Sequence, residues 1–171
     1  MFVSDQRAGD ARGMQEDIVF VCTGNICRSP MAEYLFRTNW EQALGMRGCS
    51  AGVMANYGIP ASRFAVKAMD EIGIDLTPHR SQPVTPHMVA TAKLFVVMTR
   101  GHEAHLKTMC PEAAERVHLL RSFVSESRDM DIMDPIGLSL DVYRYVRDEI
   151  AEGVRALAAY LQQADRSGTA G

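Results

Sequence analysis

Cys22 and Arg28 enclose five residues, Thr23-Gly24-Asn25-Ile26-Cys27, and the segment runs on through Ser29 to Pro30. It follows the apolar run Ile18-Val19-Phe20-Val21. A buried strand is therefore predicted to give way to a helix here, with Ser29 as N-cap and Pro30 at the first helical position. A loop closed by a helix N-terminus turns several backbone N–H groups toward one point, and the helix dipole adds partial positive charge there. A phosphate dianion suits this arrangement, with the planar fork of Arg28 gripping two of its oxygens. The same field favours the thiolate of Cys22, which is its nucleophilic form. Gly24 and Asn25 are residue types that tolerate left-handed backbone, and the Ser29 hydroxyl can donate to the sulfur. One loop is thus expected both to bind phosphate and to attack phosphorus.

The spacing recurs at Cys110-Pro111-Glu112-Ala113-Ala114-Glu115-Arg116. This copy has no glycine, carries two carboxylates that would repel phosphate, and puts a proline where an N–H would be wanted. It also precedes the strand-like Val117-His118-Leu119-Leu120 instead of a helix, and is read as a decoy. The plain alternative for Cys22 is an inert core cysteine, which leaves Gly24, Asn25, Arg28, Ser29 and Pro30 without a common reason. Phosphoryl transfer to sulfur also needs a proton for the leaving oxygen, and a carboxylic acid is the expected donor. Asp134 precedes Pro135 and is pushed away from helical geometry onto an extended loop; Asp129 and Asp131 lack that feature and read as solvated charges. His102 and His105 share a helical face and, with Cys110, invite a zinc reading. The run His-Glu-Ala-His falls one residue short of the HExxH spacing and no fourth ligand follows, so both imidazoles are expected to face solvent.

Elements on either side must position these groups. The helix from Ser29 is expected to reach about Leu44, followed by a short strand from Arg47 to Gly52. Ser62 is expected to cap a helix with Ala65, Ala68, Met69 and Ile72 on one face and Gly73 at its C-cap. Lys93 to Met98 reads as a doubly covered strand, Gly101 to Met109 as a helix, and Arg116 to Leu120 as a fourth strand. A final helix from about Ser139 to Gln163 buries Val142, Val146, Ile150, Val154, Leu157 and Leu161. Alternating strands and helices predict an α/β fold: a three-layer doubly wound sandwich with a small four-stranded, mostly parallel sheet. Ligands bind beyond the carboxyl ends of such strands, where the Cys22 loop falls.

Length and composition suit one folded unit: 171 residues, 47% hydrophobic and 23% charged. A net charge of −3, with no concentration of Lys and Arg, gives no case for nucleic acid or an acidic membrane surface. No apolar segment approaches transmembrane length and Met1 to Glu16 is polar, so a cytoplasmic protein is expected, as a monomer or weak dimer. Residues 1–16 read as a disordered extension, 17–163 as the folded domain and 164–171 as a flexible tail. The four cysteines, at positions 22, 27, 49 and 110, form no dense framework and are expected to be reduced.

Val21 through Glu33, VCTGNICRSPMAE, resembles the low-molecular-weight protein tyrosine phosphatase family. Ser50-Ala51-Gly52, the stretch from Gly73-Ile74-Asp75 to His79-Arg80-Ser81, Val96-Val97-Met98-Thr99 and Asp134-Pro135 follow in the family's order, over roughly residues 17–163. The resemblance implies hydrolysis of phosphotyrosine in proteins through a phosphocysteine, with Cys22, Arg28 and Asp134 catalytic and with no metal or cofactor. It implies that Thr23, Gly24, Asn25, Ile26, Cys27 and Ser29 hold the phosphate. Ser50 and His79 correspond to residues that hydrogen-bond Asn25 and Ser29, and Tyr57 and Ile136 to side chains that gate the pocket. It further implies that Cys22 and Cys27 can close reversibly into a disulfide, against the equal alternative of Cys27 as a packing residue. Tyr143 and Tyr145 read as ordinary packing residues near the start of a helix, against the alternative, implied by the resemblance, of regulatory phosphorylation sites.

A related branch acts on phosphoarginine, with Phe-Gly after Asp-Pro and Thr at the position of Ile26. Here Ile136-Gly137 follows, and Gly137 with the stretch from Ser50 to Ala61 leans toward that branch. Ile26 instead matches the tyrosine branch and its apolar bulk suits a flat aryl ester, so phosphotyrosine is the expected substrate and phosphoarginine the alternative. Arsenate reduction needs a further pair of thiols, and Met98 with a lone Cys110 leaves that relay incomplete. A non-catalytic phosphate binder or thiol sensor would have no use for Asp134.

Overall fold

The computed structural model describes residues 17–125, 127 and 129–168. The expected extension, Met1 to Glu16, lies outside them, as do residues 169–171 of the expected tail. Strand β1, Ile18–Cys22, is buried along its whole length. It leads through the Cys22 loop into helix α1, Arg28–Asn39, and the short α2, Glu41–Leu44. Then come β2 (Gly48–Gly52), α3 (Arg63–Asp70), α4 (Pro86–Thr91), β3 (Leu94–Val97), α5 (Arg100–Met109), β4 (Val117–Leu119) and α6 (Leu140–Gly168). Two 3-10 turns, Pro111–Arg116 and Leu120–Phe123, flank β4.

The four strands are parallel throughout, in the order β2-β1-β3-β4. Ile18 of β1 pairs with Gly48 on one side and Leu94 on the other, and Phe95 of β3 pairs with Val117. The order reverses at β1, so the crevice for a ligand opens beyond its carboxyl end, at Cys22. Alternation along β1 divides the core. Ile18, Phe20 and Cys22 face α1, α3 and α6, with Met31, Phe36, Met69, Val146, Ile150, Val154 and Leu157. Val19 and Val21 face α4 and α5, with Met88, Val89, Leu106 and Ala113. Each fully buried side chain of this size contributes about 1.5–3 kcal/mol. Among the described residues, no helix is long and apolar enough to cross a membrane.

Several local expectations change. Helix α1 starts at Arg28 with Cys27 in the N-cap position and no side-chain cap bond, so Pro30 is its third residue and Ser29 is already helical. The Ser29 hydroxyl is drawn to the sulfur and to Asn25 instead. The single helix expected to reach Leu44 breaks at Trp40 (φ −132°), which packs partly against the core, and α2 ends at left-handed Gly45 (φ 61°). Ser62 precedes α3 as expected but makes no side-chain cap bond; its Oγ donates to the Tyr143 hydroxyl at 3.2 Å. Ile72 lies beyond the end of α3 and is 44% exposed, off the buried face assigned to it. Helix α6 runs to Gly168, so residues 164–168 of the expected tail are helical. Helix α4 was not anticipated, although Thr85 caps it by accepting from Met88 N–H at 3.2 Å and Pro86 opens it.

Candidate active site

The loop between β1 and α1 curls because Asn25 takes a left-handed conformation, φ 56°. Gly24 does not share it; a Cβ there would meet only Ile26 Cγ1, at 3.8 Å, which is ordinary contact. The unusual turn at Asn25 is tied from three sides. His79 Nε2 donates to Asn25 O (2.7 Å), Gln82 N–H donates to Asn25 Oδ1 (2.9 Å), and Asn25 Nδ2 donates to Ser29 Oγ (2.9 Å) and Ser50 Oγ (2.8 Å). Ser50 Oγ in turn donates to the buried Glu33 carboxylate at 2.6 Å. Burial raises the proton affinity of Glu33, opposed by the Ser50 hydrogen bond and by Arg37. The network aims hydrogen bonds inward, and Ser29 is left with its own proton for Cys22 Sγ at 2.9 Å or Ala51 O at 3.3 Å. Ser50 and His79 thus stand where the resemblance implied, with His79 bound to the Asn25 carbonyl and not to Ser29. Burial holds His79 on the neutral side of its ordinary range.

Gly52, at the carboxyl end of β2, presses against the loop. A Cβ on it would lie 2.4 Å from Thr23 O and 3.1 Å from Asn25 N. Thr23 O also accepts from Met54 N–H at 3.0 Å, so the start of the loop is held by the neighbouring strand's exit.

Arg28 is 4% exposed. One terminal nitrogen donates to Ile132 O (3.0 Å) and the other pairs with Asp134 Oδ2 (3.1 Å), while the buried Nε has no partner among the described residues. Asp134 is half-exposed and its Oδ1 accepts from Ile136 N–H at 3.1 Å. Ile132 is fully buried and donates its N–H to Met98 O at 2.9 Å, which anchors the Asp134 loop to the end of β3. A cavity of about 190 Å³ lies among Cys22, Thr23, Gly24, Ile26, Cys27, Arg28, Asp134 and Ile136. The nucleophile, the guanidinium and the carboxyl predicted from sequence meet here. Tyr57 does not line the cavity; it stands 70% exposed on the loop after β2.

Cys27 Sγ lies 3.2 Å from Ser62 Oγ and 3.3 Å from the Tyr143 hydroxyl, and burial pushes its thiol up. Tyr143 is buried, its hydroxyl pushed up to about 12 by burial and by Cys27, whereas Tyr145 is exposed. Cys49 and Cys110 pack in the core on the opposite side of the sheet from Cys22. In the second Cys-to-Arg copy, Arg116 donates to the carbonyls of Ala92 and Val89 at the end of α4, which leaves no phosphate fork.

His102 corrects the expectation of a solvent-facing residue. It is 6% exposed; Nε2 lies 2.8 Å from Thr23 Oγ1 and Nδ1 lies 3.0 Å from Thr99 Oγ1. Burial, and next the positive charge of Arg28, lower it to about 4. His105 does face solvent. Sequence reasoning also missed Gln82, Glu33 and Ile132. The signal for His102 was available: Thr99 is a helix N-cap just past a strand adjacent to β1, so the first turn of α5 had to abut the Cys22 loop.

A family model described as low molecular weight phosphotyrosine protein phosphatase matches residues 17–167. The protein-arginine-phosphatase of Bacillus subtilis (strain 168) is 40% identical over 148 residues, covering 86% of this chain and 97% of that protein. The probable low molecular weight protein-tyrosine-phosphatase EpsP of Ralstonia nicotianae is 36% identical over 143 residues, covering 84% and 94%. A YwlE arginine phosphatase mutant, solved with a phosphorylated active site serine, superposes with a TM-score of 0.82 at 38% identity, covering 88% of this chain and 98% of that one.

Proposed function

The chain belongs to the low molecular weight phosphotyrosine protein phosphatase family and is a cysteine-dependent hydrolase of protein phosphate groups; on that premise we propose that it acts on phosphotyrosine, with Cys22 as nucleophile, Arg28 as phosphate clamp and Asp134 as proton donor. The unpartnered, buried Nε of Arg28 carries this reading. A buried N–H without an acceptor costs about 1–3 kcal/mol, and a phosphoryl oxygen beside Cys22 would satisfy it. The edge of the guanidinium formed by Nε and the Asp134-bound nitrogen then takes two phosphoryl oxygens, while the other nitrogen stays on Ile132 O. Phosphate displaces the Asp134 carboxyl from Arg28 and leaves it free to hold a proton.

The Cys22 thiolate attacks phosphorus in line; the P–O bond to the leaving group breaks, and Asp134 gives that oxygen its proton. The product is a phosphocysteine and an ionised Asp134. Water then attacks the phosphocysteine, losing a proton to Asp134, and the sulfur leaves as thiolate with the Ser29 hydroxyl beside it. Arg28 and the loop N–H groups stabilise the equatorial oxygens in both steps. The solved relative with a phosphorylated active site serine is in keeping with a covalent phosphoryl group at this position.

Ile26 and Ile136 give the cavity apolar walls, which supports an aryl group over a charged guanidinium. Phosphoarginine is the second reading, favoured by 40% identity to a protein-arginine-phosphatase. Turnover of matched phosphotyrosine and phosphoarginine peptides decides between them. At least tenfold preference for phosphotyrosine is expected, about 1.4 kcal/mol, with Ile26→Thr reducing it; preference for phosphoarginine by the unmodified protein would establish the second reading. Cys22→Ser abolishes turnover of both.

A further inference from the structure

Thr23 lines the cavity directly after the nucleophile, and its hydroxyl faces an imidazole that the scheme above does not use. Two proton arrangements satisfy both contacts of the ring, one for each neutral tautomer. In one of them the Thr99 hydroxyl, which caps α5 by accepting from His102 N–H at 3.1 Å, gives its own proton to His102 Nδ1 at 3.0 Å. A neutral ring carries a single proton, which then sits on Nε2 and is donated to Thr23 Oγ1 at 2.8 Å. The ring is buried, its positive neighbour is Arg28, and its two nitrogens both meet hydroxyls, which makes neutrality the low-energy state. Thr23 thus has its oxygen occupied and its own proton left over, beside the cavity. The opposite tautomer would draw the Thr23 proton onto Nε2 and turn it away from any ligand.

We propose that His102 is a positioning residue which, by donating to Thr23, presents the Thr23 hydroxyl proton to a non-bridging oxygen of the phosphoryl group held over Cys22. This rests on the phosphatase reading of the site. It assigns α5 a part in oxyanion recognition and makes Thr23 a side-chain donor beside the loop amides.

Competitive inhibition by vanadate, with aryl phosphate turnover and melting temperature measured alongside, tests it on the full chain. Thr23→Val keeps the shape and removes the hydroxyl. His102→Asn keeps an amide near Nδ1 for Thr99 but falls short of Thr23, whereas His102→Gln places an N–H where Nε2–H stands. The vanadate inhibition constant should rise about tenfold in Thr23→Val and in His102→Asn, the scale of a lost hydrogen bond to an anion. His102→Gln should recover most of that loss, and Thr23→Val/His102→Asn should be no weaker than Thr23→Val alone, because both changes remove one contact. Losses that multiply in the double variant, or an unaltered constant in Thr23→Val, would overturn the proposal. Should His102→Asn not fold, Thr23→Ser against Thr23→Val decides, since only serine keeps the hydroxyl; equal weakening overturns it. Failure of the unmodified protein to bind vanadate or cleave an aryl phosphate removes the phosphatase reading and this inference together, whereas an active parent with variants matching it removes the inference alone.

Discussion

Gly52→Ala probes how tightly the nucleophile loop is set by the neighbouring strand. The added methyl carbon would stand 2.4 Å from Thr23 O, 2.7 Å from Ala55 Cβ and 3.1 Å from Asn25 N. Ordinary contact begins near 3.4 Å, so the Thr23 carbonyl must retreat by about 1 Å (3.4 minus 2.4). That oxygen is backbone, held by Met54 N–H, and it belongs to the residue after Cys22, so the retreat is passed to the sulfur. A displacement of about 1 Å between reacting atoms costs on the order of 100-fold in rate, and the overpacking itself about 1–3 kcal/mol of stability. Gly52→Ala is therefore expected to fold with a lowered melting temperature and to lose about two decades of kcat/KM on an aryl phosphate, read in a continuous assay at matched folded fraction. Gly24→Ala is the comparison, because its Cβ would find only Ile26 Cγ1 at 3.8 Å and its stability should hold. Full activity in folded Gly52→Ala would refute the idea that β2 sets the position of the loop.

Asp134→Asn should lower kcat/KM by about two to four decades, most for the poorest leaving groups; a loss independent of leaving-group acidity would argue against proton donation. Ser50→Ala strips the buried Glu33 carboxylate and one Asn25 N–H of their partner, for about 1–3 kcal/mol; an unchanged melting temperature would show that the network does not anchor the loop. His102 binds its proton near pH 4 in the folded chain against about 6.5 when unfolded, so the unfolded state takes up the proton first as pH falls. Stability should drop between pH 6.5 and 4, by up to about 3 kcal/mol from this group. His79, also lowered, acts in the same direction, and Glu33, raised, acts in the opposite one. Chemical denaturation of the parent and of His102→Gln at the two ends isolates His102, whose replacement should flatten the slope; equal slopes would contradict its buried, neutral state.

The loop from Cys22 to Ser29, the parallel sheet and the Asp134 step were legible because each rests on local chemistry: an apolar run, small residues before a helix, an aspartate before proline. What escaped depends on partners far along the chain. Ser29 has the right type for a cap, but Asn25 and the sulfur claim its hydroxyl. The break at Trp40 follows from packing against the core, which helical periodicity does not reveal. His102 sits on a helix whose own pattern says nothing of Thr23, 79 positions earlier. The resemblance puts Tyr57 at a gate, whereas the structure shows it exposed on a loop whose Gly58 N–H and Ile59 N–H donate to Ser81.

The contacts that complete the site are long in sequence: Arg28 to Ile132 spans 104 positions and Cys27 to Tyr143 spans 116. A ribosome therefore delivers Cys22 early and Asp134 late, after four strands have had the chance to pair. A growing polypeptide that has not yet reached Ile132 and Asp134 holds Cys22 and Arg28 without the loop that completes the cavity.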